Sequence, residues 1–159
     1  MNDPNVITGQ ETVVDETQPM AALVAFYKAF NQRNLAAMGE NWAQGADVVM
    51  SNPLGGVRRG WQDIEPVYRN LFTGPAQVYV EFYDFFAQHN TDMYWVAGRE
   101  RGYFKKDDTK LDLHIRTSRV FRNVNGIWKQ VHHHGSIEYP KLLKQYQTAV
   151  LGHALTHTA

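Results

Sequence analysis

The chain has 159 residues, which fits one domain with a real hydrophobic core and leaves no room for a second. Its 16 Lys and Arg balance its 16 Asp and Glu, so the basic excess of a nucleic-acid binder is missing and no nucleic-acid partner is expected. It has no cysteine, which excludes disulfides and thiolate chemistry, and no apolar run approaches the roughly 20 residues of a membrane span. We therefore expect a cytoplasmic protein without a membrane partner.

The N-terminal half is predicted to be mainly helical. Residues 1–17 contain four acids, no Lys or Arg and no apolar period, which predicts a flexible acidic tail. Apolar residues at helical spacing then predict helices over about 20–30, 35–42 and 64–72, with a short strand over 46–51. The folded domain is expected to begin at residue 18.

The period changes at residue 78. Segments 78–89, 93–104, 111–123 and 127–138 are rich in β-branched and aromatic residues, which predicts four long antiparallel strands. Pro140 follows the last of them, so one domain is predicted over 18–139, and a terminal helix and tail over 140–159. Helices followed by a strand meander are typical of an α+β fold, in which the helices pack on one face of a curved sheet.

The sequence Val124-Asn125-Gly126-Ile127 predicts a hairpin, because Asn-Gly favours a two-residue type I′ turn. Counting back from this turn pairs Arg119 with His132, and Thr117 with His134, on the face that the helices cover. The opposite face, whose mixture of apolar and polar groups suits contact with a second copy of the chain, then carries Val120, Val131, His133 and Ile137.

His132 and His134 are the first candidates for chemistry. An H-x-H pair on a strand can supply two metal ligands, but no third ligand is predicted on that face, so no metal site is expected. The alternative is a pair of neutral histidines bonded to hydroxyls such as those of Thr117 and Ser136. Such rings could bind a ligand or move a proton.

Two arginines indicate a site for an anion. Arg99 and Arg119, together with a histidine, could converge on a carboxylate, because the guanidinium group suits two-pronged recognition of carboxylates. The alternative is that Arg99 forms an internal salt bridge to Asp84 or Glu81.

Asp84 is the candidate acid or base among the carboxylates. It lies in register with the apolar residues of its strand, and on a covered face it would hold a proton more tightly and could transfer it. The alternative is a salt-bridged structural aspartate at a strand end.

Three rings are candidates for lining a cavity between helices and sheet, although such rings most often pack in a core: Tyr27, Trp42 and Trp95.

Three segments carry a family resemblance. They are residues 22–42 with Phe26-Tyr27-x-Ala29-Phe30-Asn31, the motif Gly56-x-x-x-Gly60, and residues 117–136 with Thr117-Ser118-Arg119 and His132-His133-His134-Gly135-Ser136. Over residues 19–138 the chain resembles the nuclear transport factor 2-like (NTF2-like) superfamily. Within it, the chain is most similar to SnoaL-like domains of the branch that includes calcium/calmodulin-dependent kinase association domains.

The resemblance implies a cone-shaped, cystatin-like α+β fold with a pocket between the helices and the concave sheet, and a homodimer formed through the outer sheet faces. Association domains have arginines in this pocket, and by motif position Arg119 matches one of them and Arg99 another. Related polyketide cyclases, ketosteroid isomerases and dehydratases use an Asp or His in the same cone without a cofactor. Asp84 is the candidate for that role by position.

Three functions remain as hypotheses. The first is a stand-alone dimeric domain that binds a small anionic organic molecule through Arg99, Arg119 and the histidines His132 and His134. The second is a cofactor-independent acid–base enzyme, an isomerase, cyclase or dehydratase, in which Asp84 or one of these histidines moves a proton. The third is an assembly module whose function is the dimer itself.

Overall fold

The structure, a computed structural model, describes residues 5–153, which form four helices and six strands. No helix in this part of the chain is long and apolar enough to cross a membrane. The predicted elements are confirmed, and one short strand, β2, was not predicted. The helices are α1 (Pro19–Asn31), α2 (Leu35–Asn41), α3 (Trp61–Thr73) and α4 (Pro140–Leu151). The strands are β1 (Val49–Ser51), β2 (Arg58–Arg59), β3 (Gln77–His89), β4 (Met93–Lys106), β5 (Thr109–Val124) and β6 (Ile127–Ile137).

The strands form one sheet in the order β2-β1-β6-β5-β4-β3. All neighbouring strands are antiparallel except β1 and β6, which run parallel. Long strands twist strongly, and helices packed on one side of a twisted sheet enclose its core on the concave face. The side chains buried there include Phe26, Tyr27, Trp42, Phe82 and Phe121. The α+β prediction is confirmed.

The segment before α1 packs on the edge of the sheet. Ile7 is 4% exposed and exchanges backbone hydrogen bonds of 2.8 and 2.9 Å with Phe82 of β3. The Glu11 carboxylate accepts bonds from two backbone N–H groups of the preceding turn. Composition predicted a flexible tail here. The sequence does not indicate the packing, because one inserted isoleucine and one local turn produce no apolar period. Residues 1–4 and 154–159, the ends of the predicted tails, lie outside the described residues.

The turn between β5 and β6 forms as predicted. Asn125 and Gly126 have φ values of 53° and 84°, as a type I′ turn requires of both central residues. Val124 pairs with Ile127 across the turn. Counting from the turn is therefore correct for the first residues of each strand.

A β-bulge in β6 then changes the face that later residues occupy. The predicted pairing holds up to Gln130, but Val131 is an extra residue without an opposite partner. Arg119 consequently pairs with His133, and the predicted pairing of Arg119 with His132 is wrong by one residue. Because neighbouring residues of a strand point to opposite faces, His133 lies on the concave face and His132 on the outer face.

A second bulge, in β3, moves Asp84 away from the core. Asp84 and Phe85 both lie opposite Gly98, and Asp84 has a φ of 47°. Phe85 takes the concave position and stacks on Phe82 at 4.7 Å between ring centroids. A Cβ at Gly98 would lie 2.5 Å from the Cβ of Phe85, so the close approach requires glycine. The prediction that Asp84 shares the face of Phe82 is wrong.

Candidate functional site

A cavity of about 410 Å³ lies between the helices and the concave face of the sheet. This volume falls within the roughly 300–1,000 Å³ of sites that bind small molecules. Side chains from α1, α3, α4 and the long strands line it. Most of its wall is apolar, with contributions from Phe26, Phe30, Leu71, Val80, Phe104 and Leu113.

A buried ion pair lies at the floor of the cavity. Arg119 of β5 and Glu100 of β4 both line the cavity, and their side chains are 3% and 6% exposed. Arg119 Nη2 donates to Glu100 Oε1 at 3.0 Å, and the Tyr27 hydroxyl donates to the same oxygen at 2.6 Å. Burial, followed by the Glu100 carboxylate, raises the pKa of Tyr27 well above its usual value, so the phenol keeps its proton. The Arg119 charge is thus neutralised within the protein.

The remaining contacts of Arg119 hold it rigidly at the floor. Its Nη1 donates to Gln130 at 2.8 Å, and Gln130 donates to Asn41 at 3.1 Å. The guanidinium carbon lies 3.5 Å from the centroid of the Phe26 ring, within cation–π distance. Its Nε is buried and has no hydrogen-bond partner in the described part of the chain. Arg119 is therefore a structural charge that shapes the floor of the cavity.

His133 lines the cavity beside this pair, and its neighbours determine its tautomer. Nδ1 lies 3.3 Å from Thr117 Oγ1 and 3.4 Å from the Ser118 carbonyl oxygen. The Thr117 hydroxyl gives its own hydrogen to the His134 carbonyl at 3.1 Å, so both neighbours of Nδ1 can only accept. We therefore assign the proton to Nδ1, which leaves Nε2 with a free lone pair.

The surroundings of His133 keep the ring neutral. Burial, and next the positive charge of Arg119, lower the pKa of His133 well below its usual value. Gly135, which also lines the cavity, makes room for the ring, because a Cβ there would lie 3.2 Å from Nε2. At pH 7 the cavity therefore contains an uncharged imidazole that can accept a proton or a hydrogen bond.

The mouth of the cavity, which we define by its exposed and half-buried polar lining residues, is positively charged. These residues are Asn52, Arg58, Asn70 and Lys106. Helix α4 closes one side of the cavity: Tyr146 contacts Phe104 edge to face at 5.7 Å between ring centroids. Gln147 donates to the Pro53 carbonyl at 3.2 Å. The cavity thus has a polar floor, an apolar body and a cationic mouth.

Two of the predicted rings support this site from behind. Tyr27 and Trp42 are fully buried, and neither lines the cavity. Tyr27 contributes through its hydrogen bond to Glu100, and Trp42 packs against Tyr68 at 6.5 Å between ring centroids. The prediction that these two rings line the cavity is wrong, because both pack beneath its floor.

The predicted histidines lie on the other side of the sheet. The bulge at Val131 directs His132 and His134 outward, and His134 borders an open hollow on the outer face. The predicted convergence of these two histidines with Arg119 is therefore wrong. Among residues 5–153 no group of three His, Cys, Asp or Glu side chains lies close enough together to hold a metal ion.

The outer face also contains the other predicted site residues. Arg99 forms ion pairs with Asp84 at 3.5 Å and with Glu138 at 3.2 Å, so the internal salt bridge that we gave as the alternative is confirmed. Strand pairing places Val96, not Arg99, opposite Arg119, so the predicted convergence of the two arginines is wrong. Trp95 is 39% exposed on the same outer face.

Sequence reasoning missed Glu100 and His133. The alternation of β4 carried a signal for Glu100, since it shares its face with the buried residues Tyr94, Val96 and Phe104, where an acid needs a partner. His133 had no such signal. Its position depends on the bulge at Val131, which no glycine or turn motif marks.

Comparison with known proteins gives a family and a fold. The SnoaL-like domain model matches residues 20–140. A search of curated proteins found no match to the chain. A candidate dehydratase of the NTF2-like family from Streptomyces avermitilis is 21% identical with a TM-score of 0.67, over 77% of this chain and 94% of that one.

Two further solved structures are similar. A candidate calcium/calmodulin-dependent protein kinase type II association domain from Thiobacillus denitrificans is 25% identical with a TM-score of 0.62, over 81% of this chain and all of that one. A ketosteroid isomerase-like protein from Erwinia carotovora atroseptica is 19% identical with a TM-score of 0.66, over 80% of this chain and all of that one. These similarities show an NTF2-like fold.

Proposed function

Because the chain belongs to the SnoaL-like domain family, we propose that it binds a small organic molecule in the cavity between its helices and the concave sheet. The observation that carries this proposal is the 410 Å³ cavity with an apolar wall and hydrogen-bonding groups at its floor. Fold alone would not support it, since the NTF2-like fold is shared by proteins of different described activities.

The chemistry of the floor defines the part of the ligand that reaches it. Glu100 already neutralises Arg119, so a ligand anion there would have to compete with a buried carboxylate. The neutral His133 ring instead offers a lone pair that accepts a hydrogen bond. We therefore favour a ligand with an apolar body and an uncharged hydroxyl or carbonyl group at the floor, in place of the anion that the sequence led us to expect at Arg119.

Decanol is a suitable first probe, because it combines an apolar chain with one hydroxyl. We expect calorimetry to show binding, and we expect Val150→Trp, which fills the cavity from α4, to weaken it at least about tenfold through lost apolar burial. Lys144→Trp adds the same bulk to an exposed position of the same helix and should leave the affinity unchanged. Equal binding to both variants would place decanol elsewhere, and no binding to the unmodified protein would contradict the proposal.

Acid–base catalysis is a second candidate function, and the unprotonated Nε2 of His133 supports it. A neutral imidazole in an apolar cavity can take a proton from a bound molecule, and a proton transfer of this kind is the central step of isomerisations and dehydrations. His133 replaces Asp84, His132 and His134 in this role, because those three side chains lie on the outer face.

We also propose that the outer face forms a homodimer. Its composition differs from the prediction, because His133 and Ile137 are buried on the concave side. Trp95 and Phe86 are exposed there beside the ion pairs Arg99–Asp84 and Arg101–Glu81, and a two-fold copy would bury these rings against the same patch of its partner.

Light scattering should give twice the chain mass. Trp95→Lys should yield monomers, because it places a charge among the aromatic rings of the outer face. The exposed control Ile127→Lys, at the hairpin end, should remain dimeric. A monomeric unmodified protein would rule the dimer out. A dimer whose cavity binds no probe would instead favour the assembly-module hypothesis.

A further inference from the structure

The charges that line the cavity are distributed unevenly. Three cations and one anion line it: Arg58, Lys106, Arg119 and Glu100. The anion is bonded to Arg119, so the two lining cations that remain, Arg58 and Lys106, both belong to the mouth. Within residues 5–153 neither Arg58 nor Lys106 forms a salt bridge, although the chain as a whole has as many acids as bases.

The two cations approach the mouth from different parts of the sheet. Arg58 belongs to β2, the edge strand, where it pairs with the cavity residue Met50. Lys106 ends β4, at the hairpin with β5. Lys106 and Glu100 share the concave face six residues apart, which corresponds to about 20 Å at the rise of a strand. A molecule that fills the cavity therefore meets a neutralised ion pair at the floor and, at the mouth, two cations without a salt bridge in the described part of the chain.

We propose that the mouth is an anion subsite and that the natural ligand is an organic acid. This inference rests on the proposed function. The anionic group, a carboxylate or a phosphate, stays at the mouth near Arg58 and Lys106, while the apolar body fills the cavity and an uncharged polar group reaches the floor. A charge at the mouth keeps part of its hydration, so it does not carry the desolvation cost that it would meet beside Arg119. Two cations at an apolar cleft also attract anionic ligands from solution.

Probes that share one chain and differ in the head group test the subsite. We expect decanoate to bind about tenfold more tightly than decanol, the effect of two partly exposed ion pairs. The preference should shrink as salt shortens the Debye length to about 3 Å at about 1 M. Decyl phosphate separates the two sources of charge: tighter binding than decanoate identifies a phosphate ligand, and weaker binding identifies a carboxylate.

The chain offers matched control variants. Arg58→Gln combined with Lys106→Gln should abolish the preference for decanoate and leave decanol binding unchanged. The neighbours Arg59 and Lys105 do not line the cavity, so Arg59→Gln combined with Lys105→Gln should keep the preference. Equal affinity of the unmodified protein for decanoate and decanol would overturn the anion subsite while the proposed function stands. Binding of neither probe would overturn both.

Discussion

Glu100→Gln will lower the free energy of unfolding by about 3–5 kcal/mol, the cost of breaking a buried ion pair by removing one partner. The variant keeps the shape of the side chain and an oxygen that accepts hydrogen bonds from Tyr27 and Arg119. It removes the negative charge, and Arg119 cannot release its proton, so a 3% exposed guanidinium is left without a counter-charge. Since a domain of this size is stable by about 5–15 kcal/mol, urea titration should show a large loss of stability.

Two further variants separate the charge effect from general damage. Glu81→Gln removes the acid of the Arg101 ion pair, whose side chains are 49% and 22% exposed, and should cost no more than about 1 kcal/mol. Adding Arg119→Met to Glu100→Gln removes the uncompensated charge and should restore much of the stability. If Glu100→Gln lowers the free energy of unfolding no more than Glu81→Gln does, the buried Arg119–Glu100 pair does not stabilise the fold in the way its burial indicates.

The sequence predicted the architecture because helices, strands and the hairpin turn depend on local patterns of residue type. Asn125-Gly126 requires positive φ values that few other pairs adopt, and the four strand segments alternate over long stretches. The predictions of the turn and of the strands use only local chemistry, and the structure agrees with both. The same alternation carried a signal for Glu100 on the concave face, which the sequence analysis did not use.

The site was mispredicted where one extra residue entered a strand. The bulge at Val131 exchanges His132 for His133 at the cavity, and the bulge at Asp84 turns that carboxylate outward. A slip of one residue reverses the face of every side chain beyond it. No glycine marks the bulged segment of either strand, although the β3 bulge needs Gly98 on the strand opposite. Packing on the concave face, such as the stacking of Phe85 on Phe82 within β3, decides where the extra residue goes.

His133→Asn should reduce proton abstraction in the cavity by about 10²- to 10⁴-fold, the usual contribution of a positioned acid or base. 5-Nitrobenzisoxazole, an apolar molecule, is a suitable probe, because it measures proton abstraction without knowledge of the natural substrate. A base takes its ring C–H proton, the electron pair of that bond forms a nitrile, and the N–O bond breaks to release a coloured phenolate. Asparagine can still donate to the Ser118 carbonyl near the position of Nδ1, but it has no lone pair in place of Nε2.

The pH profile and the outer histidines make this test specific. Only the neutral ring abstracts protons, so the rate falls when pH drops through the pKa of the base. Because burial and Arg119 lower the pKa of His133 well below its usual value, the rate should stay constant down through about pH 6.5, where an ordinary histidine is half protonated. His132→Asn and His134→Asn should keep the full rate. A rate that halves near that pH, or that depends on the outer histidines and not on His133, would exclude His133 as the base.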